Sequence, residues 1–310
     1  MTVFAKPLKK WDTIWIVAPS KAFKKEKEFE LQWFIKYIES LGLHIKISNN
    51  FYGIDKCWTS SWLPEQRADD INNMFLDPNI NAIWCFQWWE LANQTLQYLD
   101  FGIIQNNPKI FIGKSDIDVL LNSIHQKTGL ITYHSCDSKI WSDKELDFDY
   151  TKEYFKHRLF EGWKKVTSSN TENWSTLSPW KAVWKSVWCN ILCILKLAWT
   201  EYFPDFANKI FFIETYKVDV ATLLYQLTQL QMLGVFDVIN WVVIWSNFWF
   251  DCDEFKAEEI ITIFLKAYNL PILKINEFWH YQPHMFLPIW AEVELDATNK
   301  KITILSDFLI

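Results

Sequence analysis

Residues 107–124 have the sequence NPKIFIGKSDIDVLLNSI, in which a short apolar run passes through a glycine into an amphipathic segment. The run Ile110–Ile112 predicts a buried strand, and the apolar residues that recur at helical spacing after Asp116 predict a helix. Only the tripeptide Gly113–Ser115 separates the two elements. The segment therefore predicts a strand, a tight turn and a helix, with Ser115 in the turn.

The first half of the chain alternates strand and helix around this segment. Apolar runs predict further strands at residues 12–20, 43–48 and 81–87, and amphipathic runs predict helices at residues 26–42, 64–77 and 92–104. This alternation is typical of a mainly parallel sheet covered by helices, in which ligands bind at the carboxyl ends of the strands.

The second half changes character after a polar stretch that is rich in serine, threonine and asparagine. Strands are predicted at residues 209–214, 241–245 and 271–276, a helix at 218–234 and a terminal hairpin at 291–306. We therefore predict an α/β fold with two domains. An N-terminal parallel-sheet domain with flanking helices occupies 1–165, a linker occupies 166–187, and a smaller C-terminal α/β domain occupies 188–310.

Composition excludes several classes of partner. The formal net charge is -6, the pI is near 5.6 and no basic block occurs, so we expect binding neither to nucleic acid nor to a membrane. The start of the chain lacks the apolar stretch of a signal peptide, which favours a cytoplasmic location. Six scattered cysteines without CxxC spacing favour reduced thiols, and we expect no metal site.

The predicted turn has the design of a nucleophile elbow, which exposes a serine hydroxyl beside the N–H groups at the start of a helix. Those N–H groups stabilise the oxyanion that forms when serine attacks a carbonyl. Ser115 or Asp116 would serve equally well as a simple helix N-cap. A serine nucleophile also needs a base and an orienting carboxylate, and the sequence offers His280, His284 and the strand-terminal Glu214. Taken singly, each of these three residues is more often an ordinary surface residue than a catalytic one.

Nearly the whole chain resembles the LD-carboxypeptidase family of serine peptidases, which includes the microcin C self-immunity peptidases. The resemblance is carried by IVAPS, QRADDINNMFLDPNINAIWCF, NPKIFIGKSDI, KTGLITYH, LAWTEYFPD, KIFFIE and FWHYQPHMFLPIW. It implies a cytoplasmic, often dimeric enzyme with Ser115 as nucleophile, Glu214 as orienting acid and His280 as general base. His284 falls outside the family's motif, so we interpret it as structural.

The resemblance also implies a reaction. The family releases terminal D-Ala from cytoplasmic muropeptide tetrapeptides during cell-wall recycling, without a metal or an organic cofactor. The oxyanion would be bound by the backbone N–H of Asp116 and by that of Trp88 or Trp89, where the family has a Gly-Gly turn. Two alternatives stay open: an immunity peptidase that cleaves an aminoacyl-nucleotide antibiotic, and a catalytically inactive homologue that binds peptides.

Tryptophan is abundant where glycine is scarce. The chain has 20 Trp and 7 Gly, whereas a globular chain of this length ordinarily has about 20 Gly. Nine tryptophans occupy positions at which the family tends to have glycine, namely Trp11, Trp15, Trp88, Trp89, Trp188, Trp199, Trp245, Trp279 and Trp290. We hypothesise that UGA codons read as glycine in the source organism were translated here as tryptophan. The glycine form, with glycine at all nine positions, would then be the functional protein.

Overall fold

The computed structural model describes residues 2–53, 62–86, 90–134, 156, 158–160, 166–169, 174–245, 250–275 and 287–305. The chain divides into two compact units. One comprises Met1–Trp163 with Pro283–Pro288 and Phe308–Ile310, and the other comprises Lys164–Gln282 and Ile289–Asp307.

The described residues form strands and helices in the following order. The strands are β1 (Thr13–Val17), β2 (His44–Ile47), β3 (Ala82–Cys85), β4 (Ile110–Gly113), β5 (Thr132–His134), β6 (Val166–Ser169), β7 (Ser175–Ser178), β8 (Lys181–Asn190), β9 (Lys209–Glu214), β10 (Trp241–Trp245), β11 (Ile272–Ile275), β12 (Leu287–Ile289), β13 (Glu292–Asp296) and β14 (Lys301–Ile304). The α-helices are α1 (Glu28–Ser40), α2 (Pro64–Leu76), α3 (Phe101–Asn106), α4 (Asp118–Thr128), α5 (Ile191–Leu195), α6 (Val220–Met232), α7 (Val235–Val238) and α8 (Ala257–Leu265). Short 3-10 helices span Lys25–Lys27, Ala92–Tyr98, Ser115–Ile117 and Lys266–Tyr268.

The first sheet has six strands in the order β12-β5-β4-β3-β1-β2. The neighbours from β5 to β2 pair in parallel, as the alternation of strand and helix predicted. Every residue of β3 and β4 is buried, which is typical of parallel strands covered by helices on both faces. The carboxyl ends of β1, β3 and β4 therefore lie along one edge of the sheet.

The helices of the first unit follow from local sequence. Helix α1 buries Leu31, Phe34 and Ile38, which share one face at helical spacing. Helix α2 begins at Pro64, whose fixed φ suits the first helical position. Helix α4 ends at Gly129, which adopts a φ of 76° as the C-cap.

The second sheet has eight strands in the order β6-β14-β13-β8-β9-β10-β11-β7. Strands β8 to β11 pair in parallel, and the others extend the sheet with antiparallel pairs. The predicted terminal hairpin is confirmed, because β13 and β14 pair in antiparallel orientation. The described part of residues 166–187 is not a linker, because β6, β7 and most of β8 are hydrogen-bonded strands of this sheet. Strand β7 forms one edge of the sheet, and its residues alternate between exposed and partly exposed.

The described helices include none that is both long and apolar enough to span a bilayer.

Three tryptophans have a backbone conformation that disfavours any side chain. Trp11, Trp199 and Trp290 have φ angles of 76°, 57° and 71°. The φ angles of Trp11 and Trp290 are close to those of Gly42, which is 81°, and Gly234, which is 72°. A residue with a Cβ atom loses roughly 1–2 kcal/mol in this left-handed region, whereas glycine does not. At three of the nine positions where the family tends to have glycine, the backbone therefore adopts a conformation that favours glycine.

We expect Trp11→Gly and Trp199→Gly each to raise the free energy of unfolding by about 1 kcal/mol, because both relieve the left-handed strain. Both side chains are largely exposed, at 73% and 77%, so little packing is lost. Chemical denaturation measures the effect. The matched control is Trp33→Gly inside α1, where glycine lowers helix stability by about 1 kcal/mol. A loss of stability on Trp11→Gly similar to that of the control would contradict the expectation.

Candidate active site

Ser115 occupies a strained turn between β4 and α4. Its φ is 57°, in the left-handed region that serine rarely adopts. Ser115 opens the 3-10 turn Ser115–Ile117, which continues directly into α4, and its side chain is partly exposed. Strain of this kind persists only where the surrounding structure imposes it, and it is the hallmark of a nucleophile elbow. An ordinary N-cap residue has an extended backbone, so the geometry favours the elbow over the simple cap.

Gly113 permits the turn because the helix approaches the strand closely at this point. A Cβ atom built on Gly113 would lie 2.8 Å from the Cβ of Ile117 and closer still to its Cγ2. Carbon atoms that are not bonded pack at about 3.5–4.0 Å. Ile117 itself is fully buried, and its N–H donates to the carbonyl of Lys114 at 3.1 Å. The glycine is therefore required by space rather than by its φ.

Asp116 follows the serine and is buried, with 2% of its surface exposed. Its Oδ2 accepts hydrogen bonds from Ser20 Oγ at 2.6 Å and from the N–H of Ala92 at 2.8 Å. Its backbone N–H lies in the first turn of the helical segment, where N–H groups have no acceptor within the helix. The sequence prediction used this backbone N–H alone and missed the contacts of the side chain.

Glu214 ends β9 with 1% of its surface exposed. Asn190 lies opposite it in the parallel pair of β8 and β9, and Asn190 Nδ2 donates to Glu214 Oε2 at 2.5 Å. Asn190 is also the N-cap of α5, since its Oδ1 accepts from the N–H of Leu192 at 3.0 Å. Both the nitrogen and the oxygen of the Asn190 amide form hydrogen bonds, and these define the orientation of the amide. Sequence reasoning missed Asn190, although an asparagine before the apolar run ILCIL is an N-cap signal.

The predicted site residues are divided between the two units. Ser115 and Asp116 lie in the first unit and Glu214 lies in the second. The predicted general base, His280, and the predicted oxyanion residues, Trp88 and Trp89, lie outside the described residues. Among the residues that the structure describes, no three His, Cys, Asp or Glu side chains are grouped in a way that could hold a metal ion.

An α/β fold with a serine strained in a strand-to-helix turn is typical of one class of protein, the serine hydrolases that use a nucleophile elbow. Models of two protein domains match the chain. Residues 14–135 match the LD-carboxypeptidase N-terminal domain, and residues 187–295 match the LD-carboxypeptidase C-terminal domain. The chain belongs to the LD-carboxypeptidase family, and the resemblance inferred from sequence is confirmed.

Two relatives match almost the full length of the chain. The microcin C7 self-immunity protein MccF of Escherichia coli is 28% identical over 99% of this chain and 97% of its own. The "Probable murein peptide carboxypeptidase" of Bacillus subtilis is 26% identical over 96% of this chain and 93% of its own. A solved structure of MccF in complex with glutamyl sulfamoyl guanosine superposes with a TM-score of 0.91 at 24% identity, over 99% of both chains. The last comparison confirms the fold.

We expect Gly113→Ala in the glycine form to lower the rate at which a fluorophosphonate probe labels Ser115 by about 100-fold. The added methyl group meets Ile117 and displaces the turn, and a shift of about 1 Å at a reacting group costs about that factor. Stability should fall by about 1–3 kcal/mol from overpacking. Labelling kinetics and thermal denaturation measure the two effects.

The control for this variant is Gly102→Ala, in the exposed part of α3, where the nearest atom to an added Cβ is Asp100 Oδ1 at 3.1 Å. This substitution should leave the labelling rate unchanged, because a surface carboxylate can shift. Labelling of Gly113→Ala at the parent rate would show that the turn tolerates a side chain.

Proposed function

We propose that the glycine form is an LD-carboxypeptidase, a serine peptidase that releases terminal D-Ala from muropeptide tetrapeptides. The observation that carries the proposal is the strained backbone of Ser115, with a φ of 57°, in a chain that matches both LD-carboxypeptidase domains. Strain is retained at a turn of this kind where it presents a nucleophile. The scissile bond is the amide between the L-configured centre of a diamino acid residue and D-Ala.

In the proposed reaction, the Ser115 hydroxyl attacks the carbonyl carbon of this amide and His280 accepts the hydroxyl proton. The C–N bond then breaks, and His280 returns the proton to the nitrogen of the departing D-Ala. Water hydrolyses the resulting acyl-enzyme by the same proton transfers. Glu214 orients the imidazole and stabilises its positive charge, as the carboxylate of a catalytic triad does.

Two further groups assist the proposed triad. Asn190 holds one carboxylate oxygen of Glu214 through a 2.5 Å hydrogen bond, which restricts rotation of the carboxylate. The N–H of Asp116 and a second N–H from position 88 or 89 would bind the oxyanion. Loss of one such donor typically costs about 10² to 10³ in rate. Tryptophan at positions 88 and 89 would crowd this turn, and the proposal is therefore made for the glycine form.

A second function is favoured by the relationship to MccF, which extends over 99% of this chain at 28% identity. In this alternative, the same serine chemistry cleaves an aminoacyl-nucleotide antibiotic and confers resistance. The solved complex of MccF with glutamyl sulfamoyl guanosine supports a small peptide-nucleotide as the substrate class. A catalytically inactive peptide-binding homologue is the third alternative, and genuine tryptophan at positions 88 and 89 would favour it. For any of the three, we propose a cytoplasmic homodimer that needs no metal or organic cofactor.

The decisive assay incubates the glycine form with a muropeptide tetrapeptide and with glutamyl sulfamoyl guanosine in parallel. We expect release of D-Ala from the tetrapeptide, measured by chromatography, and expect Ser115→Ala to lower kcat by at least about 10³-fold because it removes the nucleophile. Hydrolysis of the nucleoside conjugate alone would establish the immunity function. Binding of the peptide without turnover would identify the inactive homologue.

The control for this assay is Ser123→Ala, which removes a buried hydroxyl from α4, the helix that follows the elbow. This variant should retain D-Ala release at nearly the parent kcat. An equal loss of activity in Ser115→Ala and Ser123→Ala would argue that the effect of Ser115 comes from folding rather than from chemistry.

A further inference from the structure

A buried polar network joins three loops at the carboxyl edge of the first sheet. The loops follow β1, β3 and β4, and the last of them contains Ser115. Ser20, Arg67 and Asp116 are 0%, 0% and 2% exposed. Buried polar groups of this kind are costly unless they are hydrogen-bonded, so the bonds they make indicate what they hold in place.

The Asp116 carboxylate connects the nucleophile turn to the other two loops. Its Oδ2 accepts from Ser20 Oγ, in the loop after β1, and from the N–H of Ala92, which begins the 3-10 helix directly after the loop that follows β3. Ser20 Oγ in turn accepts from the N–H of Leu91 at 3.4 Å. One carboxylate oxygen thus fixes the residue after Ser115 against both neighbouring loops.

The Arg67 guanidinium fastens the same two loops from helix α2. Its Nη1 donates to the carbonyls of Pro19 at 2.7 Å, Ser20 at 3.4 Å and Leu91 at 3.2 Å, and its Nη2 donates to Gln94 Oε1 at 2.7 Å. A planar guanidinium presents several donors in a rigid array, which suits it to binding a set of converging carbonyls. Ser20 links the Arg67 guanidinium to the Asp116 carboxylate. Its backbone carbonyl accepts a hydrogen bond from Arg67, and its hydroxyl donates one to Asp116.

We propose that the side chains of Asp116 and Arg67 are positioning residues that hold the chain at Leu91 and Ala92 against the turn that contains Ser115. The inference rests on the proposed function in one respect: this loop carries the predicted second oxyanion donor, at position 88 or 89. An oxyanion donor must lie within about 2.7–3.1 Å of the oxygen that it stabilises. The contacts that carry this inference are those of the described residues Leu91 and Ala92, which follow positions 88 and 89 in the chain.

The structural part of the proposal is tested by hydrogen exchange in the glycine form. Asp116→Ala removes the acceptor of the Ala92 N–H and should raise its exchange rate at least about 10-fold, as expected for the loss of roughly 1.4 kcal/mol of local protection. Asp116→Asn keeps an oxygen at this place and should preserve most of the protection. The matched control is Asp100→Ala, which removes the acceptor of the Ile103 N–H at 2.9 Å and should accelerate exchange there but not at Ala92.

The functional part is tested by the kinetics of Ser115 labelling with a fluorophosphonate. Asp116→Ala should lower the rate constant about 100-fold at an unchanged final labelled fraction, and Asp116→Asn should restore it to within a few-fold. A merely structural role would lower the labelled fraction and leave the rate constant of the folded molecules unchanged, and that result would overturn the proposal. If Ser115 of the parent protein is not labelled at all, the proposed function fails. The positioning role is refuted separately if Asp116→Ala leaves the hydrogen-exchange rate of the Ala92 N–H unchanged.

A second inference rests on backbone geometry and on one ring contact. Trp11, Trp199 and Trp290 lie in the left-handed region. The rings of Trp188 and Phe212 have centroids only 3.3 Å apart at an angle of 15°, whereas aromatic pairs ordinarily have centroids about 4.5–7 Å apart. We infer that the natural protein carries glycine at these four positions, encoded by UGA codons that the source organism translates as glycine.

The gene and the natural protein test this inference together. UGA at codons 11, 188, 199 and 290, and tryptic peptides with the mass of glycine at those positions, are the expected results. The matched comparison is Trp33, which lies in helix α1 with a half-buried side chain and should be encoded by UGG. UGG at the four codons, or peptides from the natural source that contain tryptophan there, would overturn the inference.

Discussion

The close approach of helix to strand at Gly113 is the constraint on which the site depends. Ile117 occupies the space that a side chain at position 113 would need, and the chain passes from β4 to the helix in a turn that leaves Ser115 with a φ of 57°. A turn this tight is costly in isolation, by about 1–3 kcal/mol for the strained residue. The burial of β4 and of the apolar face of α4 stabilises the two elements that enforce it.

Sequence periodicity predicted the first sheet well because its strands are continuous apolar runs and its helices are amphipathic. It failed at residues 166–187, where edge strands of mixed polarity resemble a loop until their hydrogen-bonding partners are known. Local features of the sequence suggested Ser115 as nucleophile and Glu214 as orienting carboxylate, and these roles stay predictions. Asn190 and the side-chain role of Arg67 were missed because their partners are distant in sequence, on a neighbouring strand and on two separate loops.

The tryptophans illustrate how backbone geometry carries information that composition alone cannot. A surplus of tryptophan and a deficit of glycine indicate only that the chain is unusual. A φ of 76° at an exposed tryptophan identifies a position where the backbone conformation favours a residue without a Cβ atom. The buried Trp290, at 71°, follows β12 directly, and its N–H donates to the carbonyl of Ser186 at 2.8 Å. Glycine would make the same bond without strain.

The two proposed substrates share an aminoacyl carbonyl and differ in the group that leaves. In the proposed mechanism, Ser115, Glu214 and the predicted oxyanion donors all act on the carbonyl or on the proton transferred to it, so the same residues would serve either reaction. Discrimination between D-Ala and a nucleotide must then arise from groups that contact the leaving group, because binding differences there change the rate of one reaction without changing the other. One catalytic apparatus is therefore compatible with both functions in this family.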